Sequence, residues 1–166
     1  RLVGSEMCIR DRSKKNFSLD GCNAPQYSFK IKSISKALNN LIKSYKNNYE
    51  YTDQVRTLVN SILENPEFIG GTVSFDTKVI KASKGKIFCK SGAEGVFLFI
   101  DIHNEISGVV KITDGNERAI PISILNIFKK LKVMTRLELN NLEKKEKFDL
   151  KNHAGRNIGH ISLTMK

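Results

Sequence analysis

Apolar and polar residues repeat along this chain with two different periods. Over residues 33–46, Ile34, Ala37, Leu38, Leu41, Ile42 and Tyr45 recur at helical spacing with lysines and asparagines opposite, and Ser33 stands where an N-cap belongs. An amphipathic helix is therefore expected. A second stripe, Val55, Leu58, Val59, Ile62 and Leu63, follows Thr52 as N-cap and is stopped by Pro66. Residues 65–72 read as a loop closed by Gly70 and Gly71, and 75–82 as a short helix that turns Phe75, Val79, Ile80 and Ala82 inward. The period then changes. Three short runs, 87–89, 96–102 and 109–112, are rich in β-branched and aromatic residues and separated by turns, which predicts an antiparallel β-meander over 86–114. Pro121 suits the first turn of a helix over 119–131, whose Ile122, Ile124, Leu125, Ile127, Phe128 and Leu131 make a broad apolar face. The charged stretch 133–151 is expected to be mobile, pinned loosely by Leu137, Leu139 and Leu142, and 152–165 to return to the sheet as a terminal strand. The order of elements describes an α+β fold, with helices packed on an antiparallel sheet.

Composition narrows the picture. With 166 residues the chain has single-domain size and enough length for a real core. Its longest apolar run, 96–100, is far short of the roughly 20 residues a membrane span needs, so a soluble chain with no membrane partner is expected. The net charge of +11 suggests an acidic partner, but the charge is nearly all scattered lysine, and arginine is scarce after Arg12. Without an aromatic-interleaved basic stripe, this reads as a solvated surface, and no nucleic-acid partner is expected. Three cysteines, Cys8, Cys22 and Cys89, form no framework spacing, which predicts reduced thiols in a cytoplasmic compartment. A metal site built from this chain alone is not expected, although one cysteine can contribute to a site completed elsewhere.

Residues 1–12, RLVGSEMCIRDR, carry neither periodicity nor cap and resemble translated sequencing-adaptor read-through, so they are set apart as a non-native tail. Residues 13–166 are then expected to be the C-terminal part of a domain whose natural start lies well before Ser13.

Candidate chemistry gathers at two places. Asp20, Gly21, Cys22, Asn23, Ala24 and Pro25 form a dense turn signal that holds Cys22 in a tight loop, ahead of Tyr27 and Phe29, which fit either a short extended segment or an anchor for the next helix. The first meander strand ends in Lys90, Ser91 and Gly92, where a strand edge can present an ammonium to a cleft. Cys89, one residue earlier, faces the other way and reads as core; His103 reads as a solvated turn residue, His153 as a surface residue and His160 as outward-facing.

Helices followed by a strand ending Lys-Ser-Gly, two more strands and a helix is the order found in the second half of serine β-lactamase and penicillin-binding-protein folds. Five blocks extend the likeness: DGCNAP (20–25), GGTVSFDT (70–77), KSGAEGV (90–96), KITDGNERA (111–119) and NHAGRNIG (152–159) together resemble the C-terminal half of the asparaginase II family. These are L-asparaginases with a serine β-lactamase-like fold. The resemblance implies hydrolysis of L-asparagine to L-aspartate and ammonia by a serine nucleophile with lysine bases, beside a zinc ion held by two cysteines and a lysine, in a homodimer. It implies that Lys90 is the sheet-edge lysine and Asp20 the acidic residue that organises the site, with Ser91, Gly92 and Glu94 shaping the substrate pocket and Cys22 as one zinc ligand. Lys90 and Cys22 are then expected to share one concavity. The family's Ser-x-x-Lys and Cys-Ser-Gly-Lys-His motifs belong upstream of Asp20 and are absent here, so the chain alone is expected to be inactive. Ser33 and Lys36 have the right letters on the wrong side of the Asp-Gly-Cys block. The alternative is a non-catalytic β-lactamase-like domain that binds a small molecule or peptide.

Overall fold

The computed structural model describes residues 17–19, 21–47 and 51–164. A small hairpin, β1 (Phe17–Leu19) with β2 (Pro25–Tyr27), leads into α1 (Ile31–Lys46), α2 (Thr52–Glu64), the single turn α3 (Glu67–Gly70) and α4 (Phe75–Ala82). The meander follows as β3 (Ile87–Gly92), β4 (Val96–Asp101) and β5 (Ile106–Lys111), antiparallel in the order β3-β4-β5. A 3₁₀ turn (Glu117–Ala119), α5 (Ile120–Leu131), α6 (Arg136–Glu143) and a second hairpin, β6 (Asp149–Lys151) with β7 (Asn157–His160), complete the chain. The molecule is α+β.

The two-residue alternation of the strands divides the core. Ile87, Cys89, Phe97 and Phe99 project to one side and pack with Val79 and Ile80 of α4 and with Ile124 and Phe128 of α5. Phe88, Leu98 and Ile100 project to the other, where Leu38 and Ile42 of α1 cover them. The sheet is thus a middle layer. Gly108 lies opposite Phe99 in the register, and a Cβ there would run into the Phe99 ring, which sits edge-on to Phe128 at 5.0 Å between centroids. Glycine leaves room for the aromatic. At the β4–β5 turn the buried Asp101 accepts the N–H groups of His103 (3.1 Å) and Asn104 (3.0 Å), which fixes the connection with His103 exposed.

Several expectations need correction. Helix α1 starts earlier than Ser33, because the Lys30 carbonyl already accepts the Ser33 and Ile34 N–H groups, so Ser33 lies inside the first turn. Leu58 of α2 faces solvent while Val55 and Val59 are buried. Residues 65–72 are not all loop, since Pro66 caps the single turn α3. The stretch 133–151 is not loosely held: Thr135 and Glu138 form a reciprocal capping box that starts α6, Leu142 is completely buried, and Val133 and Met134 join the main core, while Leu137 is exposed. The end of the chain does not return to the meander. Strands β6 and β7 pair with each other, with His160 Nδ1 2.9 Å from Asp149 Oδ1 and Phe148 packed on the core.

Candidate active site

The start of α4 is held by its own side chains. Ser74 Oγ accepts the Thr77 N–H at 3.2 Å, and the Thr77 hydroxyl donates to the Gly71 carbonyl at 2.7 Å, folding residues 70–74 back against the first turn. Gly70 is needed for this, because a Cβ there would collide with the Ser74 side chain. Asp76, the second helical residue, is placed where the helix dipole favours a negative charge, and it is only 1% exposed.

A buried carboxylate needs partners, and Asp76 finds them at the end of β3. Its Oδ2 accepts the Ser91 N–H at 2.8 Å, its Oδ1 accepts the Ser91 hydroxyl, and Lys90 Nζ stands 3.6 Å from Oδ2. By strand alternation Lys90 leaves the opposite face from Ser91, so its long stem carries the ammonium back around the free edge of β3, where Nζ also donates to the Ser91 carbonyl. Asp76, Lys90 and Ser91 line one side of a cleft of about 470 Å³. Across it lie Glu117 and Arg118, with Phe75 and Pro121 supplying apolar wall. Asp114 holds Arg118 at 2.8 Å, and its carboxyl lies below the usual range, chiefly through the Asn116 N–H and then, against a small desolvation cost, through Arg118.

Lys90 and Ser91 are therefore brought together. Gly92 and Glu94 are not in the lining: Gly92 pairs with Val96 as the hairpin closes, and Glu94, at φ +61°, sits at the tip, its carbonyl accepting Lys111 Nζ at 2.6 Å. Gly95 lets this tip pack, since a Cβ there would come within 2.9 Å of Ile112 Cβ. Cys22 is exposed on the turn between β1 and β2 and is likewise absent from the lining, so the concavity expected to join it to Lys90 is not formed by the described residues. Asp20 lies outside the described residues.

Asp76 had no role in the sequence-based expectation. Its signal was present in Ser74-Phe-Asp-Thr77, a capped helix start with an acid in its first turn, directly after Gly70-Gly71. Cys89 is buried with its thiol pushed well above the ordinary value by burial and then by the Asp76 charge, with Lys90 opposing, so it is no nucleophile. Both serine hydroxyls in the cleft are committed, Ser91 to Asp76 and Ser74 to the start of α4. Among the described residues no group of three His, Cys, Asp or Glu side chains is placed to hold a metal ion. Cys22 alone does not make a zinc site.

A family model described as L-asparaginase II matches residues 2–163. The chain belongs to that family. Membership makes it an asparaginase-like hydrolase at the level of the family, acting on a small molecule, and the match runs through α4, β3 and the 3₁₀ turn that line the cleft described above. No curated protein matches the chain. No described helix is long and apolar enough to cross a membrane.

Proposed function

We propose that the protein hydrolyses the side-chain amide of L-asparagine to L-aspartate and ammonia, with the Lys90 ammonium at the lip of the cleft lowering the cost of removing the nucleophile's proton and relaying a proton to the leaving nitrogen. The observation that carries this reading is the junction of Lys90, Ser91 and buried Asp76 in one concavity within a chain of the L-asparaginase II family. The serine oxygen adds to the amide carbon and its proton passes to a lysine amine; the proton then goes to the departing nitrogen, which leaves as ammonia, and water cleaves the ester. Because Ser74 and Ser91 are both engaged, the nucleophile in this reading is a serine of a Ser-x-x-Lys motif upstream of Asp20 in a longer β-lactamase-like domain. Asp20 and Cys22 belong to that completed site, and zinc enters through Cys22 with ligands the described residues do not supply, so no step is routed through it. A cytoplasmic homodimer is part of the same reading, with no nucleic acid or membrane as partner.

The test is ammonia release from L-asparagine by the product of the upstream-extended gene, with Lys90 intact and as Lys90→Ala. A loss of at least about 100-fold is expected in the variant. Unchanged turnover in Lys90→Ala, or no turnover of asparagine by the extended protein, would overturn the reading. The engagement of both cleft serines also favours a second reading, a binding domain without catalysis: saturable asparagine binding by the extended protein with no ammonia released is its signature.

A further inference from the structure

A second concavity, of about 600 Å³, opens between α5 and α6 and shares no residue with the Lys90 cleft. Its floor is apolar, with Leu125 and Met134 buried, and three cations, Lys129, Lys132 and Arg136, stand around it against one carboxylate, Glu143. Among the described residues none of these cations has an ion pair or a side-chain hydrogen bond, and Glu143 neutralises none of them. Elsewhere on this fold Lys46 reaches Glu105 at 2.9 Å, Lys78 reaches Glu146 at 2.8 Å and Lys86 reaches Glu138 at 3.1 Å, while most of the described lysines have no ion pair; what distinguishes Lys129, Lys132 and Arg136 is that they stand around one concavity.

Helix electrostatics explain only part of the cluster. Lys129 lies in the last turn of α5, where a cation complements the exposed carbonyls. Arg136 is the first residue of α6, where the same dipole disfavours a positive charge. Lys132, beyond the end of α5 at φ +56°, turns the chain so that the start of α6 faces back across the concavity. Three unneutralised cations around an apolar floor repel one another, and a bound anion removes that repulsion.

We propose that this concavity binds a small organic anion, its phosphate or carboxylate group held among Lys129, Lys132 and Arg136 and its apolar part resting on Leu125 and Met134. The test is titration of the ¹⁵N-labelled chain with inorganic phosphate and, separately, with succinate, at fixed ionic strength with chloride as the control. Saturable shifts of the Lys132, Arg136 and Asn140 amides are expected, and whichever anion binds more tightly identifies the headgroup. Lys132→Gln and Arg136→Gln should each weaken binding by about tenfold, and Glu143→Gln should tighten it by about threefold. All three positions are exposed, so these variants leave the core untouched. Shifts that match those with chloride, or an affinity retained in both Lys132→Gln and Arg136→Gln, would overturn the proposal.

Discussion

Asp76 Oδ2 accepts the backbone N–H of Ser91 across 2.8 Å, joining the first turn of a helix to the last residues of an edge strand fifteen positions later. The other oxygen takes the Ser91 hydroxyl, so one buried carboxylate satisfies two donors and faces the Lys90 ammonium. Asp76→Ala strands the Ser91 amide and should destabilise the fold by about 2 to 3 kcal/mol, with Asp76→Asn intermediate. Urea unfolding with an unchanged slope reads this directly. A loss below about 0.5 kcal/mol in Asp76→Ala would mean the contact is not made.

Gly108 leaves the space that the Phe99 ring occupies. Gly108→Ala should cost about 1 to 3 kcal/mol as the added methyl forces the ring away from Phe128. Ring-current shifts of Phe128 neighbours should move with it, and wild-type stability would contradict the register.

Glu138 has a carboxyl below its ordinary value: burial pushes it up, but the Thr135 N–H and then Lys86 outweigh that. A carboxyl that is more acidic in the folded state stabilises it fully above the ordinary value of 4.5, and this is lost as pH falls through the depressed folded value. Glu138→Gln should therefore flatten the acid limb of the stability profile, and Thr135→Ala should cost about 1 kcal/mol at neutral pH. Parallel acid limbs in wild type and Glu138→Gln would contradict the box.

Cys22 is exposed and Cys89 buried with a raised pKa. Peptide mapping after brief alkylation of the native chain should find Cys22 modified at least about 100-fold faster than Cys89. Comparable rates would place the first face of the sheet in solvent.

The meander was readable because its period of two is broken by turn residues at both hairpins, and α4 because Phe75, Val79 and Ile80 fall on one face between Gly71 and Ser83. Helix α6 is masked in the sequence because its apolar residues sit among charges; its usable signal is Thr135-x-x-Glu138, a capping box, and Leu142 is its buried anchor. The separate pairing of β6 with β7 was not legible, since Ile158 and Gly159 fit a strand against any neighbour and only tertiary contacts choose one. At the site, the Lys-Ser-Gly run located two residues of the cleft wall. The burial of Asp76 is not legible in the sequence, because burying an acid depends on a partner that local pattern does not reveal, here Ser91.

The capped start of α4 carries a consequence for heating. Its two turns are anchored by Ser74 and Thr77 at the end that bears Asp76, whereas β4 is paired along both of its sides. Helix ends fray first where few buried contacts hold them, and this one is tied both to its own cap and to the edge strand through Ser91. Warming should thus leave the grip of the acid on its lysine in place until α4 itself leaves the sheet, so that the charged lip and the circular-dichroism signal of the fold are lost in one transition.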